Sequence, residues 1–167
     1  ARGAAGRAPT HHRYPQYVGM REFRAAAAEW CERRHGFTAD PDTEVLTLIG
    51  SKEGVAHFPL AAVDPGDVVL VTDPGYPVYV NAVTFAGGVV AFVPLRESNG
   101  YLPDLDAIDP ALARRARLFF VNYPNNPIGA TADRAFYERL VAFAKKYDIF
   151  IVHDAAYAEI GFDGFRP

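Results

Sequence analysis

Five short runs rich in Val, Ile, Leu and Phe punctuate this chain: Val45-Leu46-Thr47-Leu48-Ile49, Val68 to Val71, Val89 to Val93, Leu118 to Val121 and Ile149 to Val152. A run that is apolar at every position, rather than at alternate ones, suits a strand covered on both faces, as in a parallel sheet. Segments with helical spacing accompany them. From Met20 to Arg34, Phe23, Ala27, Trp30 and Cys31 recur at i, i+4, i+7 and i+8, and Gly36 follows as a stop, so an amphipathic helix is predicted with Trp30 and Cys31 facing the core. A second helix is predicted to open near Ser51. A third runs from about Thr131 to Lys146, with Phe136, Leu140, Phe143, Ala144 and Tyr147 on one face. The expected fold class is α/β: three layers, with a mostly parallel sheet and helices on both faces.

Charge and cysteine content narrow the function. Seventeen basic against twenty acidic residues leave a net charge of −3, which creates no field that would attract nucleic acid or an anionic membrane. The longest uncharged stretch, Pro74 to Leu95, has the length of a membrane span. However, Pro77, Asn81, Gly87 and Gly88 divide it into a short helix and a short strand. The lone Cys31 fits an intracellular, reducing setting, here expected to be cytoplasmic. His11, His12, His35, His57 and His153 show no metal-ligand spacing, and neither Ser51 nor Ser98 sits in a G-x-S-x-G turn, so no metal site and no nucleophile-elbow hydrolase is expected. A small-molecule partner is the default that remains.

In parallel sheets ligands gather at the carboxyl ends of strands, so the residues after each run carry the most information. The first run leads into Gly50-Ser51-Lys52-Glu53-Gly54, a turn entering a helix. The exposed amides of a helix N-terminus suit a phosphate, with Ser51 as hydroxyl donor; the alternative is an ordinary helix cap by Ser51. The second leads into Asp73-Pro74-Gly75-Tyr76-Pro77-Val78-Tyr79, which delivers the Tyr76 ring either to stack on a flat heterocycle or to pack on the core. Asn122-Tyr123-Pro124-Asn125-Asn126-Pro127-Ile128-Gly129 is a proline-fixed loop in which Asn126 is a candidate amide donor. Alternation along the last run places Phe150, Val152 and Asp154 on one face and Ile149, Ile151 and His153 on the other. Asp154 needs a cation or donors there, because an unpaired buried carboxylate is costly. It either caps the next turn or pairs with a ligand cation, and Tyr157 is near enough in sequence to share the ligand.

Together these strand ends resemble the large domain of fold-type-I, pyridoxal-phosphate-dependent aminotransferases of class I/II, over Tyr14 to about Gly164. The tyrosine–glycine–helix opening is similar to Tyr14 through Gly19 and Phe23, the phosphate turn to Gly50-Ser51-Lys52-Glu53, and the ring-stacking aromatic to Tyr76. The N-P-x-G loop is similar to Asn126-Pro127-Ile128-Gly129, and the D-x-x-Y pair to Asp154 and Tyr157. In wording the chain looks most like the LL-diaminopimelate and aspartate aminotransferase branch.

The resemblance implies a transaminase that moves an amino group between an amino acid and a 2-oxo acid through pyridoxal phosphate. Asp154 would pair with the pyridine nitrogen, and a neighbouring opposite charge raises such a pKa by ~1–3 units. Asn126 and Tyr157 would donate to the ring's phenolic oxygen, Tyr76 would stack on the ring, and Ser51 with Lys52 would hold the phosphate. Tyr14 would reach the phosphate of a neighbouring subunit, which implies a homodimer. Residues 1–13 are expected to form a mobile lead-in and 14–167 to be part of the cofactor-binding large domain. The small domain, the C-terminal half and the Schiff-base lysine are expected beyond Pro167, because Lys52, Lys145 and Lys146 do not match the S-x-S-K-type segment that carries that lysine. No catalytic residue is therefore assigned within the chain, which by itself is expected to be inactive. Two other functions share these motifs: a non-catalytic, aminotransferase-like effector-binding module and a pyridoxal-phosphate-dependent carbon–sulfur lyase.

Overall fold

The computed structural model describes residues 13–165, so nearly all of the expected lead-in lies outside the described residues. The chain divides into two compact units, Ala1–Ile49 and Gly50–Pro167.

In the first unit, helix α1 spans Arg21–His35 and ends at Gly36, whose left-handed φ of 75° lets its N–H return to the Glu32 carbonyl. Arg33, Arg34 and His35 fill the last turn, where cations complement the helix dipole. The helix falls where its spacing predicts, but its buried side differs. Phe23 and Trp30 are 58% and 42% exposed and Cys31 is half-buried, whereas Arg24 and Ala28 are buried. Helical spacing identifies a common face without saying what it meets. Here the turn at Pro41 and Asp42 decides the matter, because the Arg24 guanidinium donates to the Pro41 carbonyl and lies 3.5 Å from the Asp42 carboxylate. The run Val45 to Ile49 does not form the expected buried strand. It is irregular, Leu46 and Ile49 are exposed, and the Thr47 N–H donates to the Val18 carbonyl instead of to a strand ladder. β-Branched composition favours a strand but does not impose one.

The second unit holds a four-stranded parallel sheet in the order β2-β1-β3-β4, where β1 is Val68–Asp73, β2 Val89–Pro94, β3 Ala116–Asn122 and β4 Phe150–Asp154. The helices are α2 (Ser51–Ala62), α3 (Pro77–Phe85), the short α4 (Pro110–Ala113) and α5 (Arg134–Tyr147). Their ends follow local chemistry. Proline stands in the first turn of α3 and of α4, where its missing N–H costs nothing, and the Asp133 carboxylate caps α5 by accepting from the Phe136 N–H at 2.8 Å.

Alternation along the strands sorts two cores. Val69, Val71, Leu118 and Phe120 face α2 and α3, meeting Val55, Tyr79 and Val83. Leu70, Phe119 and Val121 face α5, meeting Phe136, Leu140 and Ala144. Helices thus cover both faces, and the three-layer α/β expectation holds. The face predicted for α5 is the one that packs, with Phe143 and Tyr147 at its margin. The stretch from Pro74 to Leu95 is α3 followed by β2, and no helix among the described residues is long and apolar enough to cross a membrane.

The sheet order carries a functional consequence. The chain leaves β1 for the outer β2, then crosses back so that β3 and β4 lie on the other side of β1. The carboxyl ends of β1 and β3 therefore flank a point where connections diverge, the usual place for a ligand in an open parallel sheet.

Candidate functional site

The carboxyl ends of β1, β3 and β4 lead to polar side chains at that point. At β1, the turn after Asp73 runs so close to the strand that a Cβ on Gly75 would collide with the Thr72 carbonyl oxygen, and this tightness places Tyr76 directly before α3. Tyr79, three residues on, lies on the same side of the helix and is fully buried. Its ring stacks on Phe120 with centroids 4.9 Å apart and meets Tyr76 edge-on at 5.7 Å. At β3, Asn122 is the last strand residue and opens the loop to Gly129, in which the Tyr123–Pro124 and Asn126–Pro127 bonds are cis.

At β4, Asp154 is 8% exposed and its carboxylate accepts from the Tyr79 hydroxyl at 3.0 Å. The Ala156 N–H also points to its other oxygen at 3.3 Å, so Asp154 caps the next turn in addition to facing the hollow. Burial first, then the charge of Asp154, push the Tyr79 hydroxyl pKa far up, so this phenol stays protonated and always donates. Across the sheet, His153 lies on the opposite face as alternation predicts. Its Nε2 is 3.0 Å from the Tyr137 hydroxyl and 3.3 Å from the Tyr123 carbonyl, and burial lowers its pKa.

Ser51, Lys52, Tyr76, Asn126, Asp154 and Tyr157, six of the seven residues singled out from the sequence, line one hollow of about 80 Å³. The Asn126 side-chain amide donates to the Tyr157 hydroxyl at 3.3 Å. The Lys52 ammonium stands 5.8 Å from the centre of the Tyr76 ring. Ser51 is the first residue of α2 rather than its cap. That position belongs to Gly50, at φ 97° and with no side chain to cover the leading amides, so the ordinary-cap alternative for Ser51 does not apply. Tyr14 belongs to the first unit, where its side chain is fully exposed. A larger cavity of about 470 Å³ shares Asn126 and Tyr157 with the hollow and is walled by Pro124, Pro127, Ile160 and Phe162.

Three lining residues were not singled out from the sequence, Tyr79, Asn122 and Ala156, and the first two bring polar side chains. Tyr79 is the donor to Asp154, and its offset of three from Tyr76 was the available signal. Asn122 is 1% exposed, and the signal there was an amide ending an otherwise apolar strand, which must find partners if buried. Among the described residues no group of three or more His, Cys, Asp or Glu is placed to hold a metal ion.

A buried carboxylate kept charged-partner-ready by a permanent donor, an aromatic face, two hydroxyl or amide donors side by side, and an uncapped helix N-terminus form a set suited to a flat, cationic, phosphate-bearing ligand. Comparison with known proteins gives the family of the chain. The family model "Aminotransferase class I and II" matches residues 1–167. The chain is 57% identical over 159 residues to an LL-diaminopimelate aminotransferase of Syntrophobacter fumaroxidans, covering 95% of this chain and 41% of that protein. It is 58% identical to one of Halothermothrix orenii over the same shares. Substrate-bound BacF from Bacillus subtilis superposes with a TM-score of 0.90 at 43% identity, over 95% of this chain and 40% of that one. The chain therefore spans about two fifths of the length of the relatives it matches.

Proposed function

The chain belongs to the class I and II aminotransferases, and from that premise we infer that it supplies the ring-binding half of a pyridoxal phosphate site in an amino-acid transaminase. The observation that carries this reading is the convergence of Asp154, Asn126, Tyr157, Tyr76 and the start of α2 on one hollow. When bound, pyridoxal phosphate supplies an electron sink that allows an amino group to pass between an amino acid and a 2-oxo acid.

The residues fit such a group. Asp154, held by the Tyr79 hydroxyl, would offer its carboxylate to a ring nitrogen and favour the protonated form of that nitrogen. Asn126 and Tyr157 offer adjacent donors to a phenolic oxygen. Tyr76 offers a ring face, and Ser51 with the leading amides of α2 offers a phosphate seat, with the Lys52 charge nearby.

The whole protein is proposed to use amino-acid and 2-oxo-acid substrates, with LL-diaminopimelate as donor in line with the names of its relatives, or aspartate as the alternative. It is further proposed to be a cytoplasmic homodimer in which Tyr14 contacts the partner's phosphate.

The test mixes the full-length protein with pyridoxal phosphate and then with candidate amino donors, following visible absorbance and 2-oxo-acid formation. A cofactor band that changes on adding a donor, together with a new 2-oxo acid, is expected. A full-length protein with no such band would overturn the proposal, and release of ammonia or sulfide instead would identify a lyase.

A further inference from the structure

Asn122 is a buried amide beside the hollow with both of its ends bonded. Its Nδ2 donates to the Asp154 carbonyl at 2.7 Å, and its Oδ1 accepts from the Asn126 N–H, also at 2.7 Å. Its own carbonyl accepts from the Asn125 side-chain amide at 3.2 Å, and in the sheet its Cα is paired with that of Asp154. One planar amide thus spans the gap between the end of β4 and the loop after β3, with both ends occupied. From Asn126 the chain of bonds continues to the Tyr157 hydroxyl. Simple burial of a strand end would be served by leucine, whereas a donor and an acceptor aimed at two different segments serve to fix their separation.

We propose that Asn122 is a positioning residue that sets the spacing between Asp154 and Asn126, the groups facing the nitrogen and the phenolic oxygen of the bound ring. This rests on the reading of the hollow as a pyridoxal phosphate site. Asn122 contacts the two segments through their backbones, so it acts through Asp154 and Asn126 and needs no contact with the ring itself.

Two variants of the full-length protein test it. Asn122→Ala removes both bonds. Asn122→Asp keeps the shape and the acceptor for the Asn126 N–H but sets an oxygen against the Asp154 carbonyl. Equilibrium binding of pyridoxal phosphate to the apo-protein is measured across pH, beside the apo-protein's melting temperature. Asn122→Ala is expected to weaken binding about tenfold, and to cost clearly less than that in an Asn126→Ala background, where only the share acting through Asp154 remains. Asn122→Asp is expected to bind weakly near neutral pH and to recover relative to wild type as pH falls, since the protonated carboxyl regains a donor for the Asp154 carbonyl. A role in packing alone would give neither the coupling nor the pH recovery. Binding within twofold of wild type in both variants, or full additivity with Asn126→Ala, overturns the proposal. If wild type itself fails to bind pyridoxal phosphate, the reading of the hollow falls. Crystal structures of the ligand-free proteins then decide the role of Asn122: a lost Asn126–Tyr157 bond in Asn122→Ala supports it, and an unmoved one overturns it.

Discussion

Replacing Tyr79 with phenylalanine isolates one hydroxyl. The ring is fully buried and stacked on Phe120, and Phe preserves that stack, so the change deletes the donor to Asp154 and nothing else of similar size. A hydrogen bond to an ionised group contributes ~1.5–3 kcal/mol, and Asp154, almost fully buried, would keep from the described residues the longer bond from the Ala156 N–H on its carboxylate. A loss near 2 kcal/mol is therefore expected, about a thirtyfold fall in the folded-to-unfolded ratio. The assay is urea unfolding of the cofactor-free full-length protein at neutral pH, comparing midpoints at an unchanged slope. The same substitution is then made in an Asp154→Ala background, where the partner is gone and its cost should shrink to a few tenths of a kcal/mol. A loss below about 0.5 kcal/mol in the wild-type background, or an equal loss in both backgrounds, would refute the claim that Tyr79 stabilises the fold through Asp154.

Other outcomes follow from burial. Leu140, fully buried between α5 and the sheet, should cost about 3 kcal/mol when changed to alanine, measured by the same unfolding assay. Burial lowers the His153 pKa, so the unfolded chain binds the extra proton first; stability from this group is present above about pH 6.5 and is lost as pH falls below it. His153→Gln should flatten that part of the pH–stability curve, and an unchanged curve would contradict the assignment. Burial pushes Tyr137 up to about 12 and raises Tyr79 and Tyr123 as well. Stability from these phenols is present below pH 10 and declines above it, so absorbance titration should show phenolates appearing together with alkaline unfolding.

Much of the fold was legible because fully apolar strands and amphipathic helices report burial directly. β1 to β4, α2 and α5 fall where composition and spacing predict, and the alternation of Val152, His153 and Asp154 fixed the faces of β4 in advance. The failures share a cause: composition reports that a segment can be buried, not what buries it. Val45 to Ile49 reads as a strand but is irregular, with the Thr47 N–H going to the Val18 carbonyl, and α1 turns Arg24 inward because a carbonyl and a carboxylate await it. At the site, Asn126–Gly129 and Asp154–Tyr157 drew attention because they lie at the ends of β3 and β4, whereas Gly50–Gly54 lines the hollow through the start of α2 although the run before it is not a strand. Tyr79 and Asn122 were not legible, since their importance lies in bonds to segments 75 and 32 residues away.

The central claim is that Asp154 is the group that equips this hollow for a protonated ring. Transaminase turnover of the full-length Asp154→Ala variant, measured beside the melting temperature of its cofactor-free form, tests this most directly. The account predicts a fall in turnover on the order of 10²-fold or more with a modest change in melting temperature. Turnover close to that of wild type would contradict it.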